Sequence, residues 1–280
     1  MKLVPTETGQ LTMTKQKNNT QESKNTLSIL ICQDGFSFCV KSKETIISFE
    51  KINLSASNYA NELLIHFQEK INAAFIEEQN IGDLKLTYEN DNFSLVPNAF
   101  FDKDKISHYI KYSTPILDND FYAFDTIETI ATTNVFIPFV HINNYLFDLF
   151  GDFEYQHHLS LLIDSFFVKG NYQASCYVLI TDNYLNLLCF NDAKLKLANV
   201  YKYQSEEDIA YYILFALEQL VFERENLVLY INQQESQKLI ELIQAYISEI
   251  KTLKLEDFAP DYLNTASITK DFNEILLLNL

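Results

Sequence analysis

The same order of apolar segments occurs twice along this chain of 280 residues. Residues 27–54 read as three short strands, with the hairpin dipeptide Asp34-Gly35 between the first two, and a helix follows them. Residues 176–203 also read as strand, turn, strand, turn and strand, and a helix from Glu206 follows. Because this repeat is several times longer than a solenoid repeat, it predicts two related domains in tandem.

Each copy of the repeat continues with a helix, a strand and a further helix. Placing Asp34 on Asp182 aligns the two hairpins without a gap, and two additional residues bring Ala60 of the first helix onto Ala210 of the second. The predicted fold class is therefore α/β with mixed sheets. Each domain is predicted to have a three-strand meander followed by helix, strand and helix.

Hydrophobic periodicity predicts the bounds of the other elements. Helices are predicted over 60–75, 103–112, 141–150, 159–168, 206–222 and 234–250, and strands over 84–88, 121–127, 134–139 and 227–231. The polar residues 1–25 are predicted to form a disordered leader, residues 26–168 the first domain and residues 169–280 the second. The helix from Glu206 has almost no polar side, which predicts that it is covered on more than one face.

The chain is strongly acidic and almost free of arginine. It carries 21 Lys and Arg residues against 38 Asp and Glu residues, a formal net charge of −17, and Arg224 is its one arginine. The guanidinium group, which grips phosphates through two parallel hydrogen bonds, is therefore scarce. Both features exclude nucleic acid as a partner, because an acidic chain repels a polyanion, and they argue against a two-metal nuclease.

The apolar segments of the chain are short. None reaches the about 18 consecutive apolar residues of a membrane-spanning helix, and the polar N-terminus lacks the layout of a secretory signal. We therefore expect a cytoplasmic protein without a membrane span. The four cysteines lie in apolar segments and form no C-x-x-C pair, which predicts buried, reduced thiols in place of zinc or redox sites.

One group of side chains has the composition of a metal site. His157 and His158 lie in the sequence near Asp152, Glu154 and Asp164. Imidazoles and carboxylates suit zinc or iron, but adjacent residues of a strand point to opposite faces. We therefore predict no metal site at these residues.

A second acidic group lies within the predicted first domain. Asp118, Asp120 and Asp125 lack the glycine and the terminal glutamate of an EF-hand loop, which predicts a solvated acidic loop. The chain also lacks the G-x-S-x-G motif of a nucleophile elbow. We therefore predict no catalytic residue.

The repeated order of elements resembles the duplicated ribonuclease-H-like domains of the actin, sugar-kinase and Hsp70 superfamily, and most nearly the pilus-assembly and cell-division branch of the actin-like ATPases. In detail the chain also resembles a Bacteroidetes family of unknown function, DUF3822. The segments that carry this resemblance are "LSILICQDGFSFCV" at 27–40, "NVFIPF" at 134–139, "EDIAYYILFALEQL" at 207–220 and "LLLNL" at 276–280. The resemblance implies an actin-like ATPase fold in which the nucleotide motifs have degenerated.

The superfamily holds nucleotide phosphates and Mg²⁺ with two Asp-x-Gly hairpins. In the first hairpin of this chain, keeping Gly35 as the motif glycine puts Gln33 at the aspartate position. Taking Asp34 as the aspartate puts Phe36 at the glycine position. The second hairpin, residues 181–184, has no glycine at all, so neither hairpin matches the motif.

The superfamily also uses a Gly-Gly turn beside the adenosine, and here residues 232–234 read Asn-Gln-Gln. The candidates for any remaining nucleotide contact are Asp34, Gly35, Ser37, Asp182 and Asn183. We expect a non-catalytic protein without a cofactor, which acts as a scaffold or adaptor for a protein partner. The alternative is a divergent actin-like ATPase that binds Mg·ATP between its two domains; the sequence leaves the oligomeric state open.

Overall fold

The chain divides into two compact units at Ser160 and Leu161. The computed structural model describes residues 4–5, 11–12, 24–43, 45–54, 59–114, 121–167, 173–182, 184–220, 222, 226–232 and 237–253. The predicted leader is represented among them by Val4–Pro5 and Leu11–Thr12, which pair antiparallel. The closing segment "LLLNL" and Arg224 lie outside the described residues.

Fifteen strands are present in the described residues. They are β1 Val4–Pro5, β2 Leu11–Thr12, β3 Asn25–Cys32, β4 Gly35–Ser42, β5 Thr45–Asn53, β6 Ile81–Tyr88, β7 Phe93–Pro97, β8 Ala123–Ile127, β9 Thr132–Phe136, β10 Glu154–His157, β11 Ser175–Ile180, β12 Tyr184–Asn191, β13 Lys194–Lys202, β14 Val228–Asn232 and β15 Glu249–Leu253. The meander strands of both repeats therefore form where the alternation of apolar residues predicts them.

Seven α-helices accompany these strands. They are α1 Tyr59–Lys70, α2 Ala73–Glu78, α3 Ile106–Ile110, α4 Val140–Phe150, α5 His158–Phe167, α6 Glu206–Gln219 and α7 Gln237–Gln244. Short 3-10 helices lie at Asn98–Phe100, Lys103–Lys105 and Glu128–Ile130. The predicted helix over 60–75 is divided because the side chain of Asn72 accepts a hydrogen bond from the amide of Phe75 and begins α2 as a new helix.

Each unit is built on a five-stranded mixed sheet, and the two sheets have the same strand order. In the first unit the order is β10-β6-β3-β4-β5, and in the second it is β15-β14-β11-β12-β13. The meander strands run antiparallel, while the two outer strands on the other side run parallel to the first strand. This arrangement confirms the predicted duplicated ribonuclease-H-like fold.

The two hairpins align one residue away from the predicted register. Phe36 contacts α1 in the first unit, whereas in the second unit the contacts with α6 come from Leu185. Tyr184 therefore lies on the opposite face and corresponds to Gly35, so the predicted match of Gly35 with Asn183 is wrong. A slip of one residue exchanges the two faces of a strand, and this is why the error matters for the site.

The first unit also contains a three-stranded antiparallel sheet in the order β7-β9-β8. This sheet packs with α3 through a small apolar cluster that includes Val96, Ile110 and Val135. It occupies the chain between β6 and β10. The two parallel strands of the first five-stranded sheet are therefore separated by a whole subdomain.

Two edge strands were missed by the sequence analysis. The polar segment Glu154–His157 forms β10, and Glu249–Leu253 forms β15, although residues up to Ile250 were predicted as helix. The helix α7 ends at Gln244, so the second half of that prediction is wrong. The parallel pairing of β15 with β14 overrides its helical periodicity.

The helix α6 begins at a complete capping box. Ser205 accepts a hydrogen bond from the amide of Asp208, and the carboxylate of Asp208 accepts one from the amide of Ser205. One face of α6 packs on the sheet and α7, but the opposite face carries Tyr211 and Phe215 in exposed positions. The prediction that α6 is covered on more than one face is therefore wrong for these two side chains.

Candidate functional site in the two hairpin turns

The first hairpin turn consists of Gln33 and Asp34, between the paired residues Cys32 and Gly35. The carbonyl oxygen of Asp34 accepts a hydrogen bond of 2.7 Å from the amide of Leu54, which follows β5. A Cβ atom on Gly35 would overlap the backbone of β5, so this residue must be glycine because of strand packing. The backbone of β5 thus fills the space that a side chain at residue 35 would occupy.

Two carboxylates and one ammonium group act on the side chain of Cys32 at the first turn. Burial raises the pKa of the Cys32 thiol well above its ordinary value, and the carboxylates of Glu89 and Asp34 raise it further. Ser37 is buried on the same face of β4 as Gly35, two residues further along. Lys51 of β5, which pairs with Ser37, acts in the opposite direction and lowers the pKa of the Cys32 thiol, so a cation lies near the turn as well as the two carboxylates.

The second turn is closed by hydrogen bonds within the protein. The amide of Tyr184 donates to Oγ1 of Thr181 over 3.1 Å, and the amide of Thr181 donates to the carbonyl oxygen of Tyr184 over 2.9 Å. The hydroxyl of Tyr203 donates to the carbonyl oxygen of Thr181 over 2.5 Å. Asp182 is exposed, and Asn183 lies outside the described residues.

The aromatic ring of Tyr184 fills the position that corresponds to Gly35. Its side chain is only 1% exposed, and Nζ of Lys202 lies 5.9 Å from the ring centroid. Superfamily hairpins need an open backbone at this position so that a phosphate can approach the amides. A buried tyrosine removes that opening.

Asn232 is the first of the three residues that the sequence sets against the superfamily's Gly-Gly turn. Its side chain pairs with the backbone of Ile180, accepting from the amide over 2.7 Å and donating to the carbonyl oxygen over 3.0 Å. Asn232 is fully buried and extends the contact between β11 and β14 by one side-chain pair. The following residues, Gln233 and Gln234, lie outside the described residues.

A buried polar network in the first unit was not predicted from the sequence. His157 is fully buried, and its Nε2 lies 3.1 Å from the carbonyl oxygen of Asn90, so Nε2 carries the proton. Its Nδ1 accepts hydrogen bonds from Nδ2 of Asn134 and from the amide of Leu159. These contacts fix one neutral tautomer of His157 at the end of β10.

The same network extends into both sheets of the first unit. The amide of His157 donates to Oδ2 of Asp125 over 2.8 Å, and Nδ1 of His158 donates to the carbonyl oxygen of Tyr88 over 3.1 Å. The hydroxyl of Tyr88 donates to the side chain of Asn143 in α4. The network therefore joins β6, β8, β9 and β10 with the helices α4 and α5. Its hydrogen bonds indicate a structural role.

The structure does not place Asp125 in a solvated acidic loop. It is 5% exposed and bound to the backbone of β10, so the solvated loop predicted for it is wrong. Asp118 and Asp120 lie outside the described residues. Within the described ranges, no three His, Cys, Asp or Glu side chains come together as metal ligands.

No helix in the part of the chain that the structure describes is both long enough and apolar enough to cross a membrane.

The fold defines the class of this protein, which has an actin-like ATPase fold. A Bacteroides thetaiotaomicron protein with an actin-like ATPase fold and unknown function superposes with a TM-score of 0.75 at 18% identity, covering 92% of this chain and 96% of that one. A chain from the PilM–PilN type IV pilus biogenesis complex superposes with a TM-score of 0.52 at 10% identity, covering 91% of this chain and 95% of that one.

The chain belongs to the family described as protein of unknown function, DUF3822, whose model matches residues 14–250. The resemblance to this family that the sequence predicts is therefore confirmed. No curated protein sequence matches the chain.

Proposed function

We propose that this protein is a non-catalytic member of the actin-like fold that acts as a scaffold or adaptor for a protein partner. The observation that carries the proposal is the closure of the second hairpin, where Thr181 binds the amide of Tyr184 and the tyrosine ring is buried. A nucleotide phosphate has no open amide cradle in such a turn.

Three further features support the same function. The glycine of the first turn is required for contact with the backbone of β5. The side-chain amide of Asn232 forms two hydrogen bonds with the backbone of Ile180. The similarity in fold to PilM, which forms a complex with PilN, gives an example of this architecture holding a protein partner.

Thermal unfolding with increasing millimolar Mg·ATP tests the proposal. We expect no dose-dependent change in Tm, because only a ligand that binds the folded state stabilises it. Binding at a hundred-fold excess over Kd would add about 2.7 kcal/mol of stability, which is readily measured. A clear rise in Tm with nucleotide concentration would overturn the proposal.

A divergent Mg·ATP site is the second candidate function. It is favoured by the two carboxylates, Asp34 and Glu89, which both act on the Cys32 thiol at the first turn, since carboxylate oxygens are ligands that Mg²⁺ accepts. If Mg·ATP raises the Tm, Asp34→Asn should remove the effect. The matched control is Asp192→Asn, because Asp192 is exposed in the turn between β12 and β13.

A further inference from the structure

The exposed face of α6 carries a pair of stacked aromatic rings. Tyr211 and Phe215 are one helical turn apart, with side chains 59% and 47% exposed, and their ring centroids lie 5.6 Å apart at an interplanar angle of 19°. Large apolar side chains exposed side by side mark interaction surfaces more often than single exposed residues do. We call these two residues the ring pair.

Two further tyrosines, Tyr212 and Tyr201, pack beside the ring pair and fix its position. Tyr211 contacts Tyr212 edge-to-face, and Tyr212 stacks on Tyr201 of β13 with centroids 4.5 Å apart and planes at 12°. Four aromatic rings thus run from the edge strand to the outer face of α6. Because this packing fixes the rings before binding, the ring pair loses little side-chain entropy when a partner contacts it.

Carboxylates lie at both ends of the ring pair. Glu207 precedes Tyr211 by four residues and Glu218 follows Phe215 by three, so all four side chains share one helical stripe. Glu207 already binds the ammonium group of Lys238 from α7. Glu218, which is exposed at the C-terminal end of the stripe, is therefore the carboxylate that offers a site for a partner's cation, and the aromatic faces attract cations beside it.

The neighbouring edge strand is unsuited to accepting another strand. Between Cys189 and Phe190 the register of β12 with β13 shifts, which leaves Lys196 as an extra, exposed residue in the edge strand. Lys194 and Lys202 are exposed on the same strand. Bulges and lysines are the usual devices that prevent strand addition at an edge, so contact here must come from side chains.

We propose that the ring pair is the docking surface for a basic, helical segment of a protein partner. The inference rests on the proposed scaffold function and names the chemistry of its partner. A helical ridge of this spacing fits the groove of another helix, and the carboxylate of Glu218 selects a basic side chain on it. The net charge of −17 disfavours a second copy of the chain and an anionic membrane surface.

Binding of an amphipathic helical peptide made of leucine and lysine, with one tryptophan on its apolar face, tests the proposal. The protein contains no tryptophan, so peptide fluorescence reports binding without background. We expect binding at physiological salt, and binding about ten-fold weaker when Tyr211→Ala and Phe215→Ala are combined. The same peptide with glutamate in place of lysine should not bind.

Three controls make the result specific. Tyr112→Ala should bind like the wild type, because Tyr112 is 86% exposed in the first unit. Glu218→Gln should weaken binding more than Glu241→Gln, which removes an equal charge at an exposed position of α7. Failure of the wild type to bind, or equal binding by the double variant, would overturn the docking surface. These results are independent of the Mg·ATP experiment, which tests the scaffold function.

Discussion

The imidazole of His157 and the carbonyl oxygen of Asn90 form a buried hydrogen bond, with Nε2 and the oxygen 3.1 Å apart. Burial, with a further effect from His158, holds the pKa of His157 well below its ordinary value of about 6.5. The folded protein therefore keeps His157 neutral under conditions in which the unfolded chain takes up a proton. Its Nδ1 could bind a proton only by losing the hydrogen bonds from Asn134 and Leu159.

Stability should therefore fall on mild acidification. The contribution of His157 is complete above about pH 6.5 and is lost as the pH drops below that value, because the unfolded state then binds more protons. Between about pH 7.5 and about pH 5.5 we expect a loss of about 1.4 kcal/mol in the free energy of unfolding. Urea unfolding at both pH values measures it. His157→Gln should flatten this dependence, whereas His108→Gln, at an exposed position, should leave it unchanged.

Replacement of Gly35 by alanine should destabilise the first unit. A Cβ atom would overlap the carbonyl oxygen of Ile52, so the backbone of β5 must move, and we expect a cost of about 2–3 kcal/mol. The comparison is Gly82→Ala, whose Cβ would meet Cβ, Cγ and Cδ of the exposed Lys24 and not a strand carbonyl, so residue 24 before β3 must shift while β5 stays in place, and we expect a smaller cost. Equal effects of the two substitutions in denaturant unfolding would show that close strand packing is not the reason for glycine at 35.

The cap of α6 gives a prediction for the second unit. Ser205→Ala removes the acceptor for the amide of Asp208, and we expect a loss of about 1 kcal/mol. Ser205→Asp keeps a cap acceptor and should retain most of the stability. If alanine and aspartate have the same effect on the unfolding midpoint, the side-chain hydrogen bond does not contribute.

The four thiols should react slowly in the native protein. Burial raises the pKa of Cys39 to about 11, and burial together with Cys189 raises the pKa of Cys176, so little reactive thiolate exists near neutral pH. With Ellman's reagent at about pH 8 we expect little labelling within minutes and labelling of all four thiols in denaturant. Fast labelling of any native thiol would contradict this, and Cys32→Ser would show whether the partly exposed Cys32 is responsible.

The meanders could be predicted because their signals are local. Alternating apolar residues and a turn dipeptide define β3 and β4, and the box at Ser205 and Asp208 defines the start of α6. The strand β10 could not be predicted, because its four residues include two polar side chains and a histidine whose burial depends on groups from β8 and β9. Tertiary pairing decides such segments.

The alignment of the hairpins shows a second limit of the sequence. Asp34 and Asp182 are both turn residues, and equating them displaced every facing residue by one position. The error concealed that Tyr184 occupies the place of Gly35. The nucleotide motif could be judged incomplete from the absence of glycine, but the closed turn at Thr181 became visible only in the structure.

The subdomain inserted between β6 and β10 has a consequence for how the protein is made. In the second unit, β15 follows β14 after a single helix, so that sheet is assembled from neighbouring segments. In the first unit, β10 can join β6 only after a separate sheet and α4 have been synthesised. Long-range strand pairing slows folding. Pulse-labelled hydrogen exchange during refolding should therefore show protection of β11 and β14 before protection of β10.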